Sequence, residues 1–191
     1  MCNLFAFFLK KTKKQLFVFW FYYLLTLLAI YPLSPYLFNK YLKIREPKFI
    51  SPIVCAEIKI RSDSYGDGAF NARRGGGRRK HNGLDIRAGM GETVVASKSG
   101  IAKTGWVKGG MGKYVKIIHK DGYSTLYGHL SGIIAKNNHW VWQGEPIGEA
   151  GKTGNANYKR MQTHVHFEIK LNDEYQDPYK LLMNNNKTSR N

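Results

Sequence analysis

From Gln15 to Asn39 the chain carries no charged residue, and its apolar heart, Leu16–Tyr31, reads LFVFWFYYLLTLLAIY. A helix packed on a protein surface shows a polar face, and this stretch has none. A membrane span needs about 20 apolar residues. The segment reaches that length by running past Pro32 and Pro35, with Tyr31, Tyr36 and Phe38 at the outer end, where aromatic residues favour the interface. The pattern predicts one N-terminal transmembrane helix. After Leu84 it changes to short runs rich in β-branched and aromatic residues: Thr93–Ser97, Ile101–Val107, Tyr114–His119, Ser124–Tyr127 and His164–Lys170. Turn signals at Gly109-Gly110, Asp121-Gly122 and Gly151 to Gly154 separate them. Runs of this kind predict an all-β, antiparallel, sandwich or barrel-like fold, with no amphipathic helix after residue 60. Between the two regions lie a basic linker from Lys40 to about Ile53, with Pro47 and Pro52, and a Gly/Arg-rich loop, Tyr65–Lys80. The expected organisation is a basic terminus and span over 1–39, a juxtamembrane linker over 40–57, a β domain over 58–182 and a frayed polar tail over 183–191.

Charge orients this arrangement. Lys plus Arg is 30 and Asp plus Glu is 13 in 191 residues, a formal +17. Lys10, Lys11, Lys13 and Lys14 precede the span with no acid among them, which predicts a cytoplasmic N-terminus and an exported β domain. A cleaved signal peptide is the rival reading. Its apolar core runs to about 7–15 residues; this core is longer, and no small-x-small cleavage site follows it. An uncleaved anchor is therefore expected. Cys2 and Cys55 then lie on opposite sides of the membrane, which excludes a disulfide between them. Two cysteines also exclude a disulfide-rich scaffold and a cysteine-based zinc cluster. The run Arg73-Arg74-Gly75-Gly76-Gly77-Arg78-Arg79-Lys80 is of a type that can engage nucleic-acid backbone. Export argues against a nucleic-acid partner, and leaves a basic loop that can face an anionic wall polymer.

Three short segments concentrate the chemistry. In His81-Asn82-Gly83-Leu84-Asp85, an imidazole and a carboxylate stand four apart, and Asn82-Gly83 disfavours a helix between them. An even spacing on extended chain puts both on one side. Imidazole nitrogen and carboxylate oxygen are both zinc ligands. Taken alone, this segment favours the plainer reading of a loop histidine hydrogen-bonded to an aspartate. In His164-Val165-His166-Phe167-Glu168-Ile169 the alternation is strict, with His164, His166 and Glu168 on one strand face. Two imidazoles there can share a metal, or set a ligand beside a general base; an exposed strand face is the plainer reading. His129, in Tyr127-Gly128-His129-Leu130, can serve as base, ligand or ordinary surface histidine. His119 and His139 have no such context and are expected to be structural.

Together these segments resemble the lysostaphin-type, LytM-like zinc metallopeptidases that cut peptidoglycan. The family pattern H-x-G-[IVL]-D, Y-x-H-L, G-x-T-G and H-[LV]-H-F-E is matched in order by His81 to Asp85, Tyr127 to Leu130, Gly151 to Gly154 and His164 to Glu168. Gly91 to Ala96 and Gln143 to Gly148 resemble the intervening strand and turn, so the likeness covers roughly Ile58 to Leu182. It implies a LytM-type domain built on a duplicated hybrid motif. It also implies one Zn2+ held by His81, Asp85 and His166, with a water at the fourth position. His129 and His164 would act beside it as base and oxyanion stabilisers, and Glu168 would support the ligands. The implied substrate is peptidoglycan, cut by an endopeptidase on the outer side of the cytoplasmic membrane. A non-catalytic module of the same fold is the alternative, which loss of ligands would mark; none is lost here. Three departures stand out. Thr163 replaces the common Pro before H-x-H. The loop Asn155–Thr163 is long. No Tyr shortly precedes His81, so Arg78 or backbone N–H groups are the candidates for oxyanion help there.

Overall fold

Thr12 caps the first helix, α1 (Lys13–Ile30): its hydroxyl accepts from the Gln15 N–H, and the Gln15 side chain returns to the Thr12 N–H. This capping box satisfies two of the donors that a helix start leaves free. A 3-10 turn, Tyr31–Leu33, and α2 (Ser34–Arg45) continue the run. Pro32 sits in the first turn of the 3-10 segment, where a missing N–H costs little. Lys13–Arg45 is one 33-residue helical stretch, long and apolar enough to cross a membrane. Phe17, Trp20, Tyr22, Leu28 and Tyr31 are all exposed along it. Helix extends through Lys40–Arg45, where the sequence suggested linker, because no glycine or proline interrupts Tyr36 to Arg45. The computed structural model describes residues 12–54 and 57–183. The orienting Lys10 and Lys11, both cysteines and the tail from Asn184 lie outside the described residues.

The chain divides into two compact units, up to Arg45 and from Glu46 onward. In chain order the second unit carries two small hairpins, β1 (Ser62–Asp63) with β2 (Gly66–Asp67) and β3 (Arg73–Arg74) with β4 (Arg79–Lys80). Then follow β5 (Leu84–Arg87), β6 (Thr93–Val95), β7 (Gly100–Val107), β8 (Gly112–Ile118), β9 (Tyr123–Leu130), β10 (Gly132–Ile133), β11 (Trp140–Val141), β12 (Pro146–Glu149), β13 (His164–Leu171) and β14 (Glu174–Gln176). A short α3 (Pro178–Met183) closes the described chain; among the described residues it is the one α-helix beyond residue 60. The main sheet runs β11-β7-β8-β9-β13, and the far side of β13 is shared by β5 and β14. A second sheet runs β10-β12-β6. Every strand pairing among the described residues is antiparallel, as the sequence predicts.

Turn chemistry sets the register. Asn172 and Asp173 have φ of 49° and 66° and join β13 to β14 in a two-residue turn. Two left-handed residues in succession match the twist of the flanking strands. Between the sheets lies a core of Leu84, Ile86, Val94, Val115, Ile117, Tyr127, Val165, Phe167 and Ile169, all fully buried. The stretch expected as linker contributes Phe49 and Ile53 to that core. Glu46 accepts from the Ser99 N–H at 2.8 Å and from the Ser99 hydroxyl at 2.5 Å. Residues 46–54 therefore belong physically to the β unit.

Candidate metal centre

The antiparallel register of β5 and β13 sets Asp85 directly opposite His166. On the other side of β13, Gly128 of β9 faces His166. His81 lies in the loop just before β5, and Gly83 brings that loop against the sheet. A Cβ at Gly83 would stand 2.7 Å from the Phe167 carbonyl oxygen and 2.8 Å from Cε1 of His166. Only glycine permits this approach. The result is a triangle of donor atoms: His81 Nε2 to Asp85 Oδ1 is 3.1 Å, Asp85 Oδ1 to His166 Nδ1 is 2.8 Å, and His166 Nδ1 to His81 Nε2 is 3.0 Å.

Hydrogen bonds at the outer nitrogens fix what those three atoms are. His81 Nδ1 lies 2.9 Å from the Ala69 carbonyl oxygen, to which it donates, so Nε2 keeps its lone pair. His166 Nε2 lies 3.1 Å from Glu168 Oε1, which leaves Nδ1 as the inward acceptor. Once a cation displaces the proton that Nδ1 of His166 shares with Asp85, three buried acceptors converge on it and it satisfies all of them at once. Ligands arranged tetrahedrally at about 2.0–2.2 Å from zinc stand roughly 3.3–3.5 Å apart, close to the spacing here. Two imidazoles, one carboxylate and an open side toward a cleft of about 510 Å³ fit a catalytic zinc site. Burial pushes His166 down, but its hydrogen bonds to Asp85 and Glu168 reverse this and hold it at about 9. Asp85 is also pushed up by burial, and the bonds from His166 and His81 hold it well below the carboxylate range. Both shifts say that the pocket favours positive charge at its centre.

His129 and His164 stand across the same cleft, their rings 5.1 Å apart. Strict alternation along β9 would place His129 on the core face with Tyr127. A bulge prevents it. Lys113 pairs with Leu130 and Val115 with Tyr127, so β9 fits Gly128 and His129 opposite Tyr114 alone. His129 takes φ of 63°, and its N–H donates to the Met111 carbonyl at 2.7 Å. The bulge turns the imidazole toward His166, 5.8 Å away ring to ring. A non-glycine residue held left-handed is the kind of local strain that accumulates at functional sites. His129 Nδ1 meets the Thr153 carbonyl at 2.9 Å, which gives the Gly151 to Gly154 segment its place in the site. His164 Nδ1 meets the Gln162 carbonyl at 2.7 Å. Each ring then offers Nε2 to the cleft. Burial and the neighbouring imidazoles lower His129 to about 3, and burial lowers His164 as well, so both are neutral at pH 7.

The structure brings together all five residues that the sequence singled out: His81, Asp85, His129, His164 and His166 line one cleft. Glu168, on the same strand face, is buried against His166. His119 sits apart in the core, bonded to the Ser99 carbonyl and the Thr125 hydroxyl, and His139 is exposed. Arg78, the sequence's candidate for oxyanion help, instead donates Nε to the Gly75 carbonyl at the hairpin tip. Arg74 and Arg79 reach the cleft in its place. Arg74 belongs to the basic run that the sequence singles out, and three further residues, Arg61, Asp63 and Tyr65, were not legible as site residues. Arg61 donates Nη2 and Nε to Asp85 Oδ2 at 2.9 and 3.2 Å, and Arg74 Nη2 meets the same oxygen at 3.3 Å. Asp63 binds Arg61 at 2.6 Å. Tyr65 lines the cleft and stacks on Tyr158, with centroids 5.1 Å apart. Only the Arg61-x-Asp63 spacing, which puts two opposite charges on one side of extended chain, hinted at any of them.

Comparison with known proteins agrees with this geometry. DD-carboxypeptidase/endopeptidase Mpg of Neisseria meningitidis serogroup B is 35% identical over 105 residues, covering 55% of this chain and 23% of that protein. Murein hydrolase activator NlpD of Salmonella typhimurium is 29% identical over 114 residues, covering 59% of this chain and 28% of that protein. The chain thus spans about a quarter of the length of these relatives. Among solved structures, the antimicrobial peptidase lysostaphin from Staphylococcus simulans matches with a TM-score of 0.56 at 30% identity, over 71% of this chain and 54% of that one. The profile of peptidase family M23 matches residues 79–178, just over half of the 191 residues and all five cleft residues above. With that match and that arrangement of side chains, the chain belongs to peptidase family M23.

Proposed function

We propose that this chain is a zinc endopeptidase that hydrolyses amide bonds in peptidoglycan cross-links or stem peptides. One observation carries the reading: the ligand atoms of His81, Asp85 and His166 converge at the floor of an open cleft, with two further imidazoles on its wall. His81, Asp85 and His166 would hold the zinc. Zinc bound there supplies Lewis acidity toward a water and the scissile carbonyl. The chain's own groups do the rest. His164 and His129, neutral and anchored through Nδ1, each present an Nε2 that can take a proton from the attacking water and return it to the leaving amine. Once protonated, the same N–H groups stabilise negative charge on the substrate oxygen. Arg61 and Arg74 hold Asp85 by its outer oxygen, so the inner one stays turned toward the histidines.

The helical stretch Lys13–Arg45 supports a membrane anchor, with the catalytic unit on the peptidoglycan side of the cytoplasmic membrane; cleavage after a signal segment would instead release it. The Arg74–Arg79 hairpin at the cleft mouth suits an anionic wall polymer. The likeness to an activator protein favours a second reading, a non-catalytic module that engages peptidoglycan. The intact donor triangle and both auxiliary histidines favour catalysis. The test uses the full-length chain in detergent. One zinc per chain and new muropeptides released from sacculi, identified by mass spectrometry, are expected. Stoichiometric zinc without any released product would move the chain to the activator class.

A further inference from the structure

We propose that Asp63 is a positioning residue, through which one carboxylate sets both the metal ligand Asp85 and the histidine His164. The inference rests on the zinc-peptidase reading above. Asp63 lies in none of the four motifs, and its side chain is 8% exposed. Its Oδ1 accepts from Arg61 Nη1 at 2.6 Å and from the Tyr65 N–H at 2.9 Å. Its Oδ2 accepts from the Gln162 N–H at 2.9 Å. Two branches leave this carboxylate. In the first, Arg61 passes its remaining donors to Asp85 Oδ2 and leaves Oδ1 to face the two histidine ligands. In the second, Gln162, pinned by its N–H, turns its carbonyl to His164 Nδ1 at 2.7 Å and so fixes that ring's tautomer and aim.

The two branches meet again in the site, where His164 Nε2 lies 4.0 Å from Asp85 Oδ1. Asp63 therefore closes a loop of contacts around the cleft, although it touches neither metal ligand nor substrate. The same hairpin and loop are joined a second time at the cleft mouth by the Tyr65–Tyr158 stack. Arg61 is 3% exposed, and a buried guanidinium that loses one of its two carboxylates must rearrange or draw more charge from the other. Here the other is Asp85, whose basicity as a ligand then changes. Hydrogen-bond partners of first ligands are worth about 10–100-fold in metal affinity or activity.

The test compares the full-length parent with Asp63→Asn and Asp63→Ala. Asp177→Asn serves as control: Asp177 caps the Tyr179 N–H at the start of α3 and does not line the cleft. Zinc dissociation constants come from chelator competition, kcat and KM from a cross-linked peptide, and folding from thermal melts. Expected for Asp63→Ala is about 10–100-fold weaker zinc binding, together with a fall in kcat at saturating zinc and a KM close to the parent's. Asp63→Asn is isosteric and keeps the fold. It is expected to lose less zinc affinity than Asp63→Ala, but still to lose kcat, because an amide has one acceptor oxygen and its NH2 cannot accept from Arg61 or from the Gln162 N–H. Asp177→Asn is expected to match the parent in zinc affinity and kcat. Parent-like zinc affinity and kcat in a folded Asp63→Asn would overturn the proposal, as would equal losses in Asp177→Asn. A parent that binds zinc but releases no product would defeat the catalytic reading instead, and the zinc arm would still decide the link to Asp85.

Discussion

Nε2 of His166 lies 3.1 Å from Oε1 of Glu168, two residues along the same strand face. That contact leaves Nδ1 as the nitrogen aimed at Asp85 and His81. A carboxylate behind a ligating imidazole fixes its tautomer and raises its basicity, at a cost of about 10–100-fold in metal affinity when removed. Glu168→Ala is expected to weaken zinc binding by about that range, and Glu168→Gln by less, since the amide oxygen still accepts from Nε2. Chelator competition on folded variants checks this. Equal zinc affinity in parent and Glu168→Ala would mean that Glu168 only fills space.

The five cleft residues are expected to divide into two groups. His81→Ala, Asp85→Ala and His166→Ala each remove a corner of the donor triangle, and zinc and turnover are expected to vanish together. His129→Ala and His164→Ala leave the triangle whole. They are expected to keep zinc and lose turnover by roughly 10²–10⁴-fold, the usual worth of a positioned acid or base. Metal analysis beside kinetics on the same preparations separates the groups. Zinc retained by His166→Ala would contradict its assignment as a ligand, and zinc lost by His164→Ala would make that residue a ligand as well. Removing zinc with a chelator is expected to abolish turnover and lower the melting temperature, with both restored on adding zinc back.

The reach of the sequence follows from the range of each contact. Asp85 and His166 were legible because each sits in a short motif, and β5–β13 pairing needs only the period of two to bring them opposite. Val165, Phe167 and Ile169 went to the core as their alternation required. His129 was legible as a residue but not as a direction, since the β9 bulge that turns it overrides alternation and no glycine marks its left-handed position. Arg61 and Asp63 show in the sequence only as opposite charges two positions apart. Their partners lie 24 and 99 positions away, and only the folded chain brings them together. The charge in Lys40–Arg45 suggests linker, whereas it lies on continuing helix that ends at Arg45.

Gly83 carries a prediction of its own. A Cβ there would stand within 2.9 Å of the Phe167 carbonyl and of both Cε1 and Nε2 of His166. The first obstacle is backbone and cannot swing away. Gly83→Ala is expected to displace His166 and cost about 1–3 kcal/mol, as overpacking commonly does. Weaker zinc binding should accompany the lower melting temperature. Gly76→Ala, where no heavy atom lies within 4 Å, meets no such obstacle; it bears only the strain of its φ of 69°, and zinc binding is expected to be unchanged. Unaltered zinc affinity in Gly83→Ala would show that the ligand loop tolerates displacement.

His119, outside the site, is expected to set an acid limit on folding. Burial lowers it from 6.5 to about 4, although its bond to the Ser99 carbonyl pulls the other way. Its Nε2 faces the Thr125 hydroxyl, which bonds in turn to the Tyr127 hydroxyl in the core. The unfolded chain binds a proton here near pH 6.5, and the folded chain resists it until about pH 4. Stability therefore rises with pH across that window, and is lost as pH falls from 6.5 toward 4. A shift of this size corresponds to about 3 kcal/mol. Urea titrations of the parent and His119→Gln from pH 7 to 4 read the effect as a difference, which cancels the cleft histidines common to both. The parent is expected to lose about 3 kcal/mol more than the variant, with the gap opening below pH 6.5. Parallel curves would show that His119 stays neutral or finds a partner for its proton in the folded core.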